Sequence, residues 1–398
     1  MQKVKENKKD CCGCGACAEI CPCNIIEMLP DEEGFLYAFY DEKKCIHCGK
    51  CEKVCPEGTE KILNKKHIAY AVKNRRDAER MKSTSGAVFP LLSNKILKDG
   101  GVVVGVCLDS SWHVVYDIGQ TPSEIQRFRN SKYVQSNMSG IYEKIANLSL
   151  ERKILFTGTP CQSAALGKYL SECKRGRRDN VIICDLICGK AVSPQIWEKY
   201  VRYLKEKYEG NMVEFIFRDK KAGWAYAKPK ATINDKSISK DIEEKCNWME
   251  LYTHSEFCRP SCYYCSFTTP RRNSDITIGD FWGVENVVPG FYDNKGVSLV
   301  IVHNKKGYDL LKAISHESRI KRCTLEDCLQ DRLKFPTPEP EHREKFWQDY
   351  YSLNFEDFLI KYASMTKGKI FIFGTVLPLM KRLGIYNMIW NLTHKRVK

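Results

Sequence analysis

The chain has 398 residues, of which 43% are hydrophobic and 28% charged, and this composition is typical of a folded protein with two or three domains. Its 21 cysteines do not indicate a secreted disulfide scaffold, because such scaffolds are short and the charged first ten residues are followed by no apolar stretch. The expected location is therefore the reducing cytoplasm. The formal net charge is +15, but the sequence has no helix-turn-helix, zinc-finger pair or RNA-binding signature. Nucleic acid is therefore not an expected partner.

Residues 1–67 are predicted to form a two-cluster ferredoxin-type domain. Two cysteine sets share the spacing Cys-x2-Cys-x2-Cys-x3-Cys, and each is followed by a proline. In this bacterial ferredoxin pattern the fourth cysteine of each set binds the other cluster. The predicted ligands of one 4Fe–4S cluster are Cys11, Cys14, Cys17 and Cys55, and those of the other are Cys45, Cys48, Cys51 and Cys21. Zinc knuckles or a disulfide knot are the alternatives, but neither needs eight cysteines at this repeated spacing.

Residues 68–335 are predicted to form an α/β domain, since short β-branched runs alternate with helical patterns. The expected strands are Val102–Val106, Lys153–Phe156, Val181–Cys184, Ile276–Ile278 and Val297–Val302. The expected helices are Val88–Leu97, one that begins near Ser163, and Pro194–Lys207. The fold class predicted for the whole chain is α+β, with the ferredoxin module first, this α/β domain second and a helical, basic C-terminal extension last.

Three short motifs in the α/β domain have the chemistry of an anion or nucleotide site. The run 83–86 precedes the helix Val88–Leu97, so its hydroxyl and N–H groups would lie at a helix N-terminus, although a plain helix cap is the alternative. The run 158–161 follows a predicted strand, where open α/β sheets bind ligands. The run 131–133 offers a cation and an aromatic ring, or is an ordinary surface loop.

A second group of cysteines, Cys258, Cys262 and Cys265, precedes the motif Gly279-Asp280-Phe281-Trp282-Gly283. In order along the chain, the preceding motifs are Ser83–Gly86, Ser131–Ser136, Gly158–Gln162 and Asp185–Cys188. Together they resemble the coenzyme F420 (deazaflavin) hydrogenase/dehydrogenase beta-subunit family, in the bacterial branch that has an N-terminal ferredoxin module. The resemblance covers about residues 10–335.

This resemblance implies FAD in the α/β domain, beside a third 4Fe–4S cluster. The residues that it assigns to FAD are Ser83, Thr84, Ser85, Gly86, Ser131, Lys132, Tyr133, Gln135, Gly158, Thr159 and Pro160. The ligands that it assigns to the third cluster are Cys161, Cys188, Cys262 and Cys265, with Cys258 as a fifth candidate that could replace Cys188. A zinc site formed by His254, Cys258, Cys262 and Cys265 is the alternative.

The function expected from these features is that of a flavin- and iron–sulfur-dependent oxidoreductase. Electrons would pass between 4Fe–4S clusters, FAD and an unknown substrate or redox partner, such as a ferredoxin or a catalytic subunit. The alternatives are an electron-delivery subunit without its own substrate and a scaffold in which the clusters are structural. Many relatives have His-Gly after the cysteine that corresponds to Cys188, whereas this chain has Gly189-Lys190, and no acid–base residue is assigned.

Residues 336–398 are predicted to be a helical C-terminal extension. Lys367–Lys398 contains seven Lys or Arg residues and no acid, and its apolar run Ile370–Met380 is too short to span a bilayer. A basic amphipathic segment of this kind could lie on an anionic membrane surface, or it could pack on the rest of the protein.

Overall fold

The computed structural model describes residues 2–57, 67–173 and 176–366, with isolated positions between 368 and 380. Its strands are β1 (Gln2–Lys3), β2 (Ile26–Pro30), β3 (Leu36–Tyr40), β4 (Ile68–Asn74), β5 (Val102–Leu108), β6 (Val114–Gly119), β7 (Ile154–Gly158), β8 (Val181–Leu186), β9 (Met212–Asp219), β10 (Lys228–Ile233), β11 (Lys236–Ser237), β12 (Ile276–Asp280), β13 (Ser298–Val302) and β14 (Ser318–Cys323). Its α-helices are α1 (Ala16–Ile20), α2 (Lys50–Lys53), α3 (Asp77–Met81), α4 (Val88–Lys98), α5 (Ile141–Leu148), α6 (Pro160–Glu172), α7 (Pro194–Lys207), α8 (Ser239–Lys245), α9 (Trp248–Leu251), α10 (Val284–Val287), α11 (Lys305–Ala313), α12 (Arg343–Ser352) and α13 (Phe355–Ala363).

The chain forms two compact units. The first contains Met1–Val201 and Ser255–Arg343, and the second contains Arg202–His254 and Glu344–Lys398. The cysteine-rich segment and the main sheet therefore belong to the same unit. The division into residues 1–67, 68–335 and 336–398 stays a prediction.

The cysteine-rich segment is built from two similar loops. Each loop leads into a very short helix, α1 or α2, that starts directly after a glycine with a left-handed backbone, Gly15 at φ 78° and Gly49 at φ 68°. Glycine suits both positions because an L side chain is strained there. The three short strands of this segment pair antiparallel in the order β1-β3-β2.

The main sheet has eight strands in the order β14-β4-β13-β12-β8-β7-β5-β6. Strands β5, β7, β8 and β12 are parallel, whereas the outer neighbours pair antiparallel. Side chains alternate between two cores: Val102 and Val104 of β5 pack with residues of α5 and α6, and Val103 packs with residues of α4 and α11. This alternation places helices on both faces of the sheet.

The predicted α/β character of the middle of the chain is confirmed, and several details differ. The sheet is mixed because β4, β6 and β14 pair antiparallel with their neighbours. Sequence periodicity did not reveal these three strands. The helix expected to begin near Ser163 begins at Pro160. Proline is common at a first helical position, where its missing N–H would have no partner in the helix anyway.

The second unit has a small antiparallel sheet, in the order β11-β10-β9, and four helices among its described residues. Aromatic rings on α12 and α13 contact one another, with Phe346 edge-on to Phe358 at 5.2 Å and Tyr350 edge-on to Phe358 at 5.5 Å. Most of the predicted basic tail, Lys367–Lys398, lies outside the described residues. In the part of the chain that the structure describes, no helix is long and apolar enough to span a membrane.

Candidate functional site

A cavity of about 210 Å³ lies inside the cysteine-rich segment. Its lining includes Cys11, Cys14, Cys17 and Cys55, which are the four thiols that the exchanged ligand pattern assigns to one cluster. The pKa of Cys17 is raised by burial and by the negative charges of Cys14, Cys11 and Cys55. A positively charged iron–sulfur core would remove this mutual repulsion, so the donor set fits a 4Fe–4S cluster.

The second ferredoxin set lies closer to solvent. Cys48 is exposed, and Cys45 and Cys51 are half-buried on either side of it in the chain. The Cys45 sulfur accepts a hydrogen bond from the backbone N–H of His47 at 3.4 Å. Cys21, its fourth predicted ligand, is the residue directly after α1. A cluster at this position would be the more accessible of the two.

The third cysteine set lies at the carboxyl ends of the central parallel strands of the main sheet, a region called the sheet edge below. Gly158 of β7 pairs with Asp185 of β8, and Asp185 pairs with Thr277 of β12, so these parallel strands end side by side. Cys161 lies in the first turn of α6, directly after β7, and Cys188 follows β8. The sequence analysis placed Cys161 in a loop ahead of the helix, and this was wrong because α6 starts at Pro160.

Electrostatics shows that these thiols are neighbours. The pKa of Cys188 is raised by burial and by the negative charges of Cys161 and Cys265. Burial and the negative charges of Cys258 and Cys188 likewise raise the pKa of Cys262. Burial and the charge of Cys161 raise the pKa of Cys265 to about 11. Four half-buried thiols from three separate segments therefore lie close together, which fits a cationic cluster.

The fifth candidate, Cys258, is buried and directs its thiol to another partner. Its Sγ donates to the carbonyl of Ser255 at 3.0 Å. The neighbouring Cys262 sulfur accepts the backbone N–H of Ala191 at 3.3 Å, a type of hydrogen bond that also tunes cluster potentials.

The zinc alternative would need several ligands within about 2.3 Å of one ion. Among the described residues, no group of three or more His, Cys, Asp or Glu side chains is arranged to hold a single metal ion, and this applies to all the cysteine sets alike. His254, which that alternative requires, packs edge-on against Tyr362 at a centroid distance of 5.3 Å within the second unit.

A buried arginine joins the cysteine-rich segment to the sheet edge. Arg259 is 1% exposed, and its guanidinium donates to the carbonyls of Cys11 at 2.7 Å and Leu36 at 2.8 Å. It also lies over the ring of Tyr37 at 4.3 Å. A Cβ on Gly13 would lie 2.5 Å from Arg259 Nη1, so this close approach requires glycine.

Three further side chains bind carbonyl groups of the cysteine loops. Gln135 donates to Cys12 at 3.0 Å, Tyr142 to Cys14 at 2.8 Å, and Lys168 to Cys55 at 2.6 Å. Donors from α5, α6 and the 131–136 run therefore fix the first cluster site against the sheet edge. None of these contacts was predicted from the sequence, in which Gln135 is assigned to FAD. The position of Arg259 between two cysteines was the one available signal for its role.

Some of the residues assigned to FAD lie close together in the structure. The N–H of Ser131 donates to Thr84 Oγ1 at 3.2 Å, which brings the 83–86 and 131–136 runs together. Ser136 accepts from the amide of Gln162 at 3.1 Å, which joins the second run to the start of α6. Thr159 also binds the Gln162 side chain, at 2.8 Å. The 131–136 run is thus the common neighbour of the other two motifs.

Several of these polar groups already have protein partners. Ser83 and Ser85 donate to the carbonyls of Glu79 and Val297 at 3.0 and 2.8 Å, and helix α4 has no side-chain cap, so neither hydroxyl caps it. Lys132 donates to the carbonyls of Arg127 and Arg129, and burial lowers its pKa to about 7. A Cβ on Gly158 would lie 2.4 Å from the Tyr116 hydroxyl, which explains glycine there without a ligand.

Comparison with known proteins agrees with the motifs. Residues 151–327 match the family of the C-terminal part of the coenzyme F420 hydrogenase/dehydrogenase beta subunit. Residues 10–59 and 37–85 match two families described as "4Fe-4S dicluster domain". No curated protein matches the chain. Among solved structures, a chain of the F420-reducing [NiFe] hydrogenase complex from Methanosarcina barkeri, studied by xenon derivatization, is 15% identical, with 81% of this chain and 95% of that chain covered and a TM-score of 0.44.

Proposed function

We propose that this chain is a flavin- and iron–sulfur-dependent oxidoreductase, because residues 151–327 match the coenzyme F420 hydrogenase/dehydrogenase beta-subunit family and the N-terminal residues match 4Fe–4S dicluster domains. When bound, the clusters and FAD would supply single-electron transfer and its conversion to two-electron chemistry. The role of the chain is to hold these groups in order and to tune them.

The main support is the third thiol set beside the first ferredoxin site. Burial and the charges of neighbouring thiols raise the pKa of Cys188, Cys262 and Cys265 in this half-buried set, whereas the pKa of Cys161 is lowered. Nothing in simple packing requires four half-buried thiols from three segments at the carboxyl ends of parallel strands, where α/β sheets bind ligands. We therefore propose these four residues as the ligands of a third 4Fe–4S cluster.

The order of the sites supports a route through the molecule. The exposed set around Cys48 would receive or deliver electrons at the surface. The first set, whose Cys11 and Cys14 carbonyls accept hydrogen bonds from Arg259 and Tyr142, would pass them to the α/β domain. Lys43, Lys44, Lys50 and Lys53 are exposed close to Cys48 in the chain, so an acidic redox protein is the proposed partner.

FAD is proposed at the 131–136 run, where three motifs converge. Thr84, Ser131 and Thr159 lie on the segments that meet there, and Cys161 is two residues beyond Thr159. The remaining residues assigned to FAD contribute the backbone of the same loops. Lys132 is the proposed cation of this site, because a bound phosphate would oppose the effect of burial, which lowers the pKa of Lys132 to about 7.

Purification without oxygen, followed by assays of metal and flavin, tests this proposal. We expect about 12 iron atoms from three four-iron sites and one FAD per chain. Reduced ferredoxin should bleach both the clusters and the flavin. A protein with about eight irons and no flavin would contradict the proposal and would leave a dicluster electron carrier.

A further inference from the structure

Arg259 differs from the other buried arginines of the described chain in the kind of partner that it has. Each of the other three forms an ion pair with a carboxylate: Arg80 with Asp77 and Asp293, Arg129 with Glu79, and Arg272 with Asp185. Arg259 is the most deeply buried of the four, and none of its hydrogen-bond partners in the described part of the chain is a carboxylate. A buried charge is costly unless an opposite charge lies nearby, so this guanidinium calls for an anion.

The guanidinium lies against the first cluster site. Its Nε donates to the carbonyl of Cys11 at 2.7 Å, and its Nη2 donates to the carbonyl of Leu36 at 2.8 Å. The same Nη2 lies 3.6 Å from the Cys11 sulfur, within hydrogen-bonding distance of a predicted cluster ligand. Cys11 also contributes to the lining of the 210 Å³ cavity. Because arginine does not lose its proton in proteins, a permanent positive charge lies at this ligand.

Gln135 fixes the position of the charge. Its Oε1 accepts from Arg259 Nη1 at 3.2 Å, and its Nε2 donates to the carbonyl of Cys12 at 3.0 Å. The backbone N–H of Gln135 in turn donates to the carbonyl of Val192 at 3.1 Å. Both ends of the Gln135 amide therefore serve the first cluster site, although the family resemblance assigns this residue to FAD.

We propose that Arg259 is the counter-charge of the first 4Fe–4S cluster and raises the reduction potential of that cluster. The inference rests on the proposed function for the first cluster alone and needs neither FAD nor the third cluster. A cluster with its four thiolates is an anion, and reduction adds one further negative charge. A fixed cation at a ligand sulfur therefore stabilises the reduced state more than the oxidised state.

The test compares Arg259→Gln, which removes the charge, with Arg259→Lys, which keeps it. The matched control is Arg80→Gln, which removes a buried arginine that pairs with carboxylates on and after α3. Each full chain is purified without oxygen, and its iron content is measured first. Potentials are then obtained by a titration monitored by electron paramagnetic resonance, in which the first-cluster signal is the one that Cys17→Ser alters.

We expect Arg259→Gln to make the first-cluster potential more negative, with about a tenfold change in the ratio of reduced to oxidised cluster, which is about 59 mV for one electron. Arg259→Lys should keep most of the potential, and Arg80→Gln should lower stability without a shift.

An unchanged potential in Arg259→Gln would overturn the inference. An equal shift in Arg259→Lys or in Arg80→Gln would also overturn it, because the charge at this position would then not be the cause. If Arg259→Gln loses about four irons, their retention in Arg259→Lys supports the counter-charge, and their loss in both variants contradicts it. An unsubstituted protein without FAD or the third cluster would contradict the proposed function and leave this test intact.

Discussion

At the scale of single residues, the contact between Gly13 and Arg259 connects the cysteine loops to the sheet edge. Arg259 places its charge against the backbone of Cys11, and it can do so only because Gly13 has no side chain. The positive charge also opposes the negative charge of the thiolates around it. A residue that looks like an ordinary loop arginine in the sequence is therefore central to the site.

Gly13→Ala tests this contact, and Gly15→Ala is its matched control. Both glycines have a left-handed backbone, at φ 67° and 78°, so each alanine should cost about 1–2 kcal/mol of unfolding free energy from backbone strain. A Cβ at Gly15 meets nothing within 4 Å, whereas one at Gly13 meets the Arg259 guanidinium. Chemical unfolding without oxygen should show the larger loss for Gly13→Ala. Equal losses would show that the contact with Arg259 has no energetic importance.

At the scale of elements, the turn between β2 and β3 is anchored to the rest of the first unit by Glu33. Its carboxylate pairs with Arg343, and its carbonyl accepts the Ser193 hydroxyl at 2.6 Å. Burial raises the pKa of Glu33 to about 7, and the negative charge of Asp31 acts in the same direction. The positive charges of Arg343 and Lys8 act in the opposite direction and lower it.

The raised pKa of Glu33 predicts a pH-dependent stability. The folded protein holds a proton on Glu33 that the unfolded chain, with a pKa near 4.5, releases earlier. The contribution is therefore complete below about pH 4.5 and is lost as the pH rises to about 7. Unfolding between pH 5 and 8 should show stability that falls with pH, and Glu33→Gln should flatten this slope. A slope of the same size in the variant would assign the effect to other groups.

The sequence was informative where the chemistry is local. The cysteine spacing grouped Cys11, Cys14, Cys17 and Cys55, and the structure places these four around one cavity. Periodicity found helix Pro194–Lys207 with the bounds that the structure shows. Periodicity missed edge strands such as β14, whose sequence is Ser-Arg-Ile-Lys-Arg-Cys. This strand is evident from its pairing with β4 and not from its own sequence. Sequence analysis also missed Arg259, whose role depends on a contact with Cys11, 248 positions earlier in the chain.

At the scale of the whole molecule, we propose that electrons pass between the exposed ferredoxin set around Cys48, the set that includes the buried Cys14, and the carboxyl ends of the central strands. The match of residues 151–327 to the beta-subunit family and the matches to the dicluster domain indicate an iron–sulfur electron-transfer protein. The basic surface close to Cys48 in sequence would then be the place where a redox partner docks.

Charge reversal tests this docking surface. We expect Lys43→Glu combined with Lys44→Glu to slow reduction by an acidic ferredoxin about tenfold at low salt, with a smaller difference at high salt. Lys312→Glu, an exposed lysine on α11, makes a single-charge control. Reduction by dithionite, which needs no protein docking, should be unaffected. If only the net charge mattered, Lys312→Glu, which changes half as much charge, would have about half the effect on the logarithm of the rate, and that result would contradict a docking role for this surface.

The central claim is that the family domain adds a third cluster beside the dicluster module, and Cys161→Ser tests it most directly. The matched control is Cys173→Ser, which changes the half-buried cysteine immediately after the same helix, α6. Iron content and the electron paramagnetic resonance spectrum are measured after purification without oxygen. The account predicts that Cys161→Ser loses one to four irons and keeps the two ferredoxin signals, while Cys173→Ser keeps about 12 irons. Full iron content and an unchanged spectrum in Cys161→Ser would contradict the account.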